Sequence, residues 1–190
     1  ATIKVVVGTE KKSHVMTDKE KTLTAYHEAG HAVVTYYLPT QDPVHEISII
    51  PRGMAGGYTM QLPSEDRSYK SCGEMQEDLV VLLGGRVAEA LALDDISTGA
   101  SNDIERATKI ARAMVTKYGM SRKMGTVTYG SDDSEPFLGR DMGHLRNYSE
   151  ETAAQIDNEI KRMVDEAYQR TEQLLKEHMD KLHRVAQYLF

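Results

Sequence analysis

Cysteine and long apolar runs are both scarce in this chain of 190 residues. Cys72 is the only cysteine, which excludes an internal disulfide framework and a zinc site built from paired cysteines, and favours a reducing compartment. The longest apolar runs, such as residues 79–83, fall far short of the roughly 18 residues that a membrane-spanning helix needs. We therefore expect the sequence as given to be soluble.

An excess of positive charge is also lacking, because 23 Lys and Arg residues face 29 Asp and Glu residues and give a net charge of −6. This balance argues against nucleic acid as a principal partner. The length fits one sizeable domain, or one domain with a helical appendage, at roughly 150 residues per domain. Because the chain opens on Ala1 without an initiator Met and runs directly into residues 3–7, which are apolar except for Lys4, we expect it to be part of a longer polypeptide.

Helix signals dominate the rest of the sequence. Three pairs have the spacing of a capping box and predict helix starts: Thr17 with Glu20, Ser71 with Glu74, and Asn102 with Glu105. Pro39 is expected to end the first of these helices, and Gly119 the third. A long amphipathic stretch follows Ser149, with an expected break near His178.

The main strand signals lie in residues 44–62, where β-branched residues flank a glycine-rich segment; residues 120–148, with weak strand character only at 126–129, are expected to be loop. The sequence therefore predicts a mainly α fold with a small β-sheet or hairpin in this region and a long C-terminal helical region.

The chemistry is indicated by an HExxH motif formed by His27, Glu28 and His31 inside the first predicted helix. Residues four apart lie above one another on a helix, so both imidazoles can reach one metal ion while the glutamate stays beside it as a general base. About 0.02 matches are expected by chance in a chain of this composition. The alternative, a solvated helix face with incidental histidines, is therefore disfavoured.

A catalytic zinc ion usually takes three protein ligands, so a third ligand must come from elsewhere. No histidine lies in residues 32–43, which excludes the metalloprotease type whose third histidine follows the motif closely. Spacing does not choose among the remaining candidates, which are His14, His45, His144, His178, His183, Glu89 and Asp103. Of these, His178 and His183 are expected to be surface residues rather than ligands.

Seven further segments extend this picture: TAYHEAGHAVV, DPVHEISIIPRG, GGYTMQLP, LLGGRVAEA, STGASNDIERAT, FLGR and YSEETAAQIDNEI. With them the chain resembles the peptidase domain of the FtsH-type membrane-anchored AAA zinc metalloproteases over nearly its whole length. The resemblance implies a helical metallopeptidase domain that binds one Zn²⁺ per chain. It also implies that residues 1–16 lead in from an upstream ATPase module, residues 17–148 form the zinc peptidase core, and residues 149–190 pack on that core.

The resemblance also implies roles for individual residues. Asp103 is expected to be the third zinc ligand with His27 and His31, and Glu89 to orient a ligating histidine from outside the coordination sphere. The family's glycine near residues 93–94 is missing, so the turn that leads to Asp103 could be set differently.

An edge strand near the zinc is expected to bind substrate by strand addition. The resemblance places it at Gly57, Tyr58, Thr59, Met60, Gln61 and Leu62. An internal strand of the small sheet is the alternative. The residue that stabilises the oxyanion stays open, with Tyr58, Arg140 and His144 as candidates.

The family also implies properties of a longer protein: an ATPase module, membrane-spanning segments upstream, a homo-hexamer on the cytoplasmic side of the cell membrane, and unfolded or membrane proteins as substrates. This chain has no GxxxxGK[ST] phosphate loop, so ATP would bind only through that ATPase module. The alternatives are a catalytically inactive helical module for assembly or partner binding, and a metal hydrolase with another substrate. The retained Glu28 disfavours the first, and the resemblance beyond the motif disfavours the second.

Overall fold

The computed structural model describes residues 15–51, 56–64, 66–130 and 147–190. In these ranges the chain forms five α-helices, two strands and one short 3₁₀ turn. In chain order they are α1 (Asp18–Tyr37), β1 (Val44–Ser48), β2 (Tyr58–Gln61), α2 (Cys72–Leu93), the 3₁₀ turn (Thr98–Ala100), α3 (Ser101–Thr116), α4 (Glu150–Glu177) and α5 (Met179–Tyr188). The predicted mainly α fold with a small β-sheet is confirmed.

Two of the three predicted capping boxes form. At the start of α1, the Thr17 hydroxyl accepts from the Glu20 amide at 3.2 Å, and the Glu20 carboxylate accepts from the Thr17 amide at 2.7 Å. Ser71 and Glu74 make the same reciprocal pair at the start of α2. These bonds satisfy amide groups that have no partner within the helix.

The third capping box is wrong. Helix α3 begins at Ser101, directly after the 3₁₀ turn, and Asn102 lies inside its first turn rather than at its cap. Ala100 occupies the cap position and makes no side-chain cap hydrogen bond. The 3₁₀ turn therefore starts the helical path earlier than the capping pattern indicates.

The sheet is a single antiparallel pair in the described residues, with Ile47 opposite Thr59 and Ser48 opposite Tyr58. Its register shifts between Val44 and Glu46, so His45 lies at a bulge. Within the described ranges each strand pairs only with the other, and both contact α1. The sheet is therefore held against the helix that carries the HExxH motif.

Helix α2 packs against α1, α3 and α4, while α5 packs mainly against α1. Each helix contributes side chains that are at most 1% exposed: Val34, Leu79, Met114, Ile156 and Leu182. These side chains belong to one continuous hydrophobic cluster. The metal-site residues of α1 therefore stand on a shared apolar core.

The long C-terminal helical stretch breaks at His178, as the sequence predicts. Both its histidines contact α1: His178 stacks on Tyr37 with ring centroids 3.6 Å apart, and Nδ1 of His183 lies 2.8 Å from the Tyr26 hydroxyl oxygen. Both histidine side chains are half-buried through these contacts with α1. The division at residues 1–16, 17–148 and 149–190 stays a prediction, and residues 1–14 lie outside the described residues.

No helix in the described ranges has both the length and the apolar character needed to cross a membrane.

The backbones of α1 and α2 come unusually close at two glycines. A Cβ atom on Gly84 would lie 2.9 Å from the Gly30 carbonyl oxygen, and one on Gly30 would lie 2.3 Å from the Gly84 oxygen. Backbone atoms cannot rotate away as side chains can. Only glycine therefore fits at this helix crossing.

We expect Gly84→Ala to lower the free energy of unfolding by about 2–3 kcal/mol, because the added methyl group overpacks this crossing. Gly73→Ala is the matched control, since a Cβ there meets only the Ser71 hydroxyl at 3.9 Å. This control change should stabilise by about 0.5 kcal/mol, the helix preference of alanine over glycine. Urea unfolding followed by circular dichroism measures both, and equal effects would contradict the close crossing.

Candidate metal centre

Three donor atoms from two helices converge beside α1. Nε2 of His27 and Nε2 of His31 lie 3.1 Å apart, one helical turn from each other. Oδ2 of Asp103, in the first turn of α3, lies 3.2 Å from the first nitrogen and 3.3 Å from the second. In the described part of the chain, this trio is the group of His, Cys, Asp and Glu side chains that could hold a metal ion.

The other nitrogen of each imidazole is bonded to α2. Nδ1 of His27 donates to Oε1 of Glu89 at 2.7 Å, and Nδ1 of His31 donates to the Val81 carbonyl at 2.7 Å. Both acceptors require a proton on Nδ1. In the neutral tautomer that carries this proton, Nε2 has a free lone pair. Each ring therefore directs the lone pair of Nε2 toward the other two atoms that could bind a metal ion.

One face of α2 provides these contacts through Val81, Gly85 and Glu89, which follow one another at intervals of four residues. A Cβ atom on Gly85 would lie 2.4 Å from Cε1 of His27. This glycine therefore makes the space in which the His27 ring lies flat against α2 and reaches Glu89.

The connection from α2 to α3 brings Asp103 to the histidines. Asp94 ends α2 in the left-handed conformation, with φ 51° and ψ 32°, in the region where the family's glycine is expected. The amide of Ser97 then donates to Oε2 of Glu89 at 2.7 Å, and Nη2 of Arg86 donates to the Ser97 carbonyl at 3.0 Å. The missing glycine therefore does not prevent the tight turn, and Glu89 holds both His27 and this connection.

Charge and burial perturb the titration of the centre. Burial by itself would lower the pKa of His27, but hydrogen bonds to the carboxylates of Asp103 and Glu89 raise it to about 9. Burial likewise opposes the charged form of Asp103, yet the two imidazoles hold its pKa well below the usual range. Without an ion, a proton on His27 thus balances part of the carboxylate charge.

Glu28 lies in the same cleft as the three donors, a cavity of about 760 Å³. Its side chain is buried, at 6% exposure, and Oε2 accepts a hydrogen bond from the Thr59 hydroxyl at 2.7 Å. The same hydroxyl lies 3.1 Å from the Glu28 main-chain oxygen. Sequence reasoning placed Thr59 in the substrate strand but missed this contact, because no local pattern links residues 31 positions apart.

The expected substrate strand lies along this cleft in part. Of its residues, those that line the cavity are Gly57, Tyr58, Thr59 and Gln61. The remaining two, Met60 and Leu62, are not among the lining residues, and Leu62 follows the end of β2. The strand therefore presents its Thr59 face to the metal centre.

The other predicted ligand candidates that the structure describes do not join the donor group. His45 is exposed on β1, and His178 and His183 pack on α1. Tyr58 lines the cleft and donates to Glu46 at 2.6 Å. His14, Arg140 and His144 lie outside the described residues.

Several known proteins are similar to this chain. Relatives include the ATP-dependent zinc metalloproteases FtsH 1 of Thermoanaerobacter sp. (strain X514), 64% identical over 189 residues, and FtsH of Caldicellulosiruptor bescii, 62% identical over 186 residues. FtsH 2 of Alkaliphilus metalliredigens, also an ATP-dependent zinc metalloprotease, is 63% identical over 189 residues.

These alignments cover 100%, 98% and 100% of this chain, but only 31%, 30% and 27% of the relatives. The chain thus spans less than a third of the length of these relatives. The profile of peptidase family M41 matches residues 14–190. This match includes the HExxH helix, the small sheet and the C-terminal helices, and the chain therefore belongs to peptidase family M41, as its resemblance to the FtsH-type peptidase domain predicts.

Proposed function

We propose that this chain is the zinc metalloendopeptidase domain of an ATP-dependent, membrane-anchored protease that degrades unfolded or membrane proteins. The observation that carries the proposal is the convergence of His27, His31 and Asp103 in one cleft with Glu28. The relatives named ATP-dependent zinc metalloproteases support it.

The donor set fits zinc. Nitrogen and oxygen ligands at about 2.0–2.1 Å from a tetrahedral ion lie about 3.4 Å from each other. The three separations here are 3.1, 3.2 and 3.3 Å. Two imidazoles and one carboxylate leave a fourth position open, as in catalytic zinc sites, whereas Ca²⁺ and Mg²⁺ prefer oxygen ligands only.

When bound, zinc lowers the pKa of a water molecule to about 7 and polarises the carbonyl group of the scissile bond. Glu28 is the general base: its carboxylate takes a proton from the attacking water as the water oxygen bonds to the carbonyl carbon. Glu28 then returns this proton to the leaving nitrogen as the carbon–nitrogen bond breaks. Glu89 and the Val81 carbonyl keep His27 and His31 in the tautomer that ligation requires.

Substrate would bind along β2. In the described residues β2 pairs with β1 alone, and residues of β2 line the same cleft as His27, His31 and Asp103, which supports this placement of the substrate. An extended peptide on a strand edge is held mainly through its backbone, which suits a protease that accepts many sequences. We propose Gly57, Tyr58, Thr59 and Gln61 as the contact residues of this strand, with Met60 and Leu62 on its far side.

The remaining properties of the longer protein follow from the family resemblance. We propose a homo-hexamer on the cytoplasmic side of the cell membrane, with ATP used by a separate module and no nucleic-acid partner. The inactive alternative is not favoured, because the base and the three donors occur together in one cleft.

We expect Glu28→Gln to reduce peptide cleavage by about 10³-fold or more, because the amide cannot accept the proton of the attacking water. Zinc content should stay unchanged, since the three donors are intact. The cleavage rate is measured with an unstructured fluorogenic peptide, with and without chelator. The zinc content is measured by metal analysis. Glu172→Gln on α4 serves as the control, and a fully active Glu28→Gln variant would remove the proposed function.

We expect His31→Ala and Asp103→Ala to lower zinc affinity by more than about 100-fold, because even outer partners of metal ligands contribute 10- to 100-fold. His45→Ala is the matched control, since this histidine is exposed on β1. Competition with a chromogenic chelator gives the affinities. Unchanged zinc binding by Asp103→Ala would require another third ligand.

The stability of the metal-free chain should depend on His27. Its folded pKa of about 9 exceeds the unfolded value of 6.5, so the stabilisation is fully present below about pH 6.5 and is lost as the pH rises to 9. We expect the free energy of unfolding to fall by up to about 3 kcal/mol across this window. His27 would hold zinc through a nitrogen that must then be unprotonated, so the zinc-loaded chain should lack the decline.

Urea unfolding at a series of pH values, with chelator or with zinc, provides the measurement. His27→Gln is the control and should also lack the decline. A metal-free chain whose stability rises between pH 6.5 and 9 would contradict the proposed charge balance.

A further inference from the structure

We infer that Thr59 is a positioning residue for Glu28: its hydroxyl group fixes the carboxylate of the general base. This inference rests on the proposed function. It is carried by the 2.7 Å hydrogen bond from Oγ1 of Thr59 to Oε2 of Glu28, which joins β2 to the HExxH helix.

The hydroxyl has one proton and two nearby acceptors on Glu28. Oε2 lies at 2.7 Å and the main-chain oxygen at 3.1 Å. The carboxylate is the better acceptor, because it is charged and closer. Among the described residues no donor bonds to the other carboxylate oxygen, Oε1, so this oxygen stays available for the proton of the attacking water.

Thr59 is itself held in place from two sides. In the β1–β2 pair it lies opposite Ile47, and its β-branched side chain has few accessible rotamers. Two residues earlier, a Cβ atom on Gly57 would lie 2.7 Å from the Ser48 oxygen and 3.0 Å from Cγ of Glu28. The beginning of β2 therefore lies directly against the Glu28 side chain, and Thr59 cannot move without the strand.

A glutamate has three rotatable side-chain bonds, and a general base must lie within hydrogen-bond reach of the proton that it removes. Burial of Glu28 at 6% exposure restricts these bonds but does not select one orientation. The hydrogen bond from Thr59 selects one orientation of the Glu28 carboxylate. Because β2 also borders the cleft, the same strand would align both the base and the peptide, and their relative position would not depend on α1 alone.

The experiment compares two matched pairs of side chains in the zinc-loaded chain. The first pair is the unmodified chain and Thr59→Val, whose side chains have nearly the same shape but differ by the hydroxyl group. The second pair, Thr59→Ser and Thr59→Ala, also differs by the hydroxyl group. Thr22→Val is the control, because this hydroxyl bonds only to the Asp18 carbonyl of its own helix, at 2.9 Å. The readouts are kcat and KM for an unstructured fluorogenic peptide, together with zinc content and thermal unfolding.

We expect Thr59→Val to lower kcat by about 10- to 100-fold, the loss typical of a misplaced catalytic group, with KM and zinc content unchanged. Thr59→Ser should retain kcat to within about threefold, and Thr59→Ala should lose it as Val does. Thr22→Val should match the unmodified chain. If Thr59→Val does not fold, the Ser and Ala pair carries the same comparison.

A kcat for Thr59→Val equal to that of the unmodified chain would overturn the inference, as would a loss that appears in KM or zinc content alone. The proposed function survives either result if Glu28→Gln is inactive. An unmodified chain without chelator-sensitive cleavage would remove the proposed function, and the inference with it.

Discussion

The close approach of α1 and α2 at Gly30 and Gly84 is the constraint on which the candidate metal centre depends. It brings one face of α2 within hydrogen-bonding distance of two imidazoles on α1. Along this face, Val81 accepts from one ring, Gly85 leaves room for the other, and Glu89 accepts from that second ring. A side chain at the crossing would separate the helices, and both imidazoles would lose their outer partners together. Apolar packing and metal-ligand geometry are therefore set by the same helix contact.

Glu89 extends this constraint to the third donor. Its carboxylate is fully buried, and a buried charge is tolerated only when it is paired. One oxygen accepts from His27 and the other accepts from the Ser97 amide in the connection that leads to α3. Asp94 allows the turn between these elements by adopting a positive φ. One side chain thus orients a candidate ligand on α1 and anchors the connection that delivers Asp103, so ring orientation and donor convergence are coupled.

Interactions between close neighbours in sequence could be predicted, and those between distant residues mostly could not. The capping box at Thr17 and the helical pair of histidines depend on spacings of three and four residues, which a helix converts directly into contacts. Asn102 failed as a cap because the 3₁₀ turn before it is set by the connection from α2. Asp103 lies 76 residues from His27, and spacing left it among several candidates until the family resemblance selected it. For His183, helical periodicity indicates an apolar face but not which element covers it.

The centre differs from zinc modules that fold only around their metal, in which the ion supplies the folding energy. Here the donors stand on helices whose buried side chains form one apolar cluster. Three unprotonated acceptors within 3.3 Å of one another would repel, but the pKa of His27, raised to about 9, places a proton among them at neutral pH. This proton partly replaces the positive charge of an ion. Binding of an ion here would exchange a proton for the metal between groups that the helices hold together, and would therefore cost little conformational entropy.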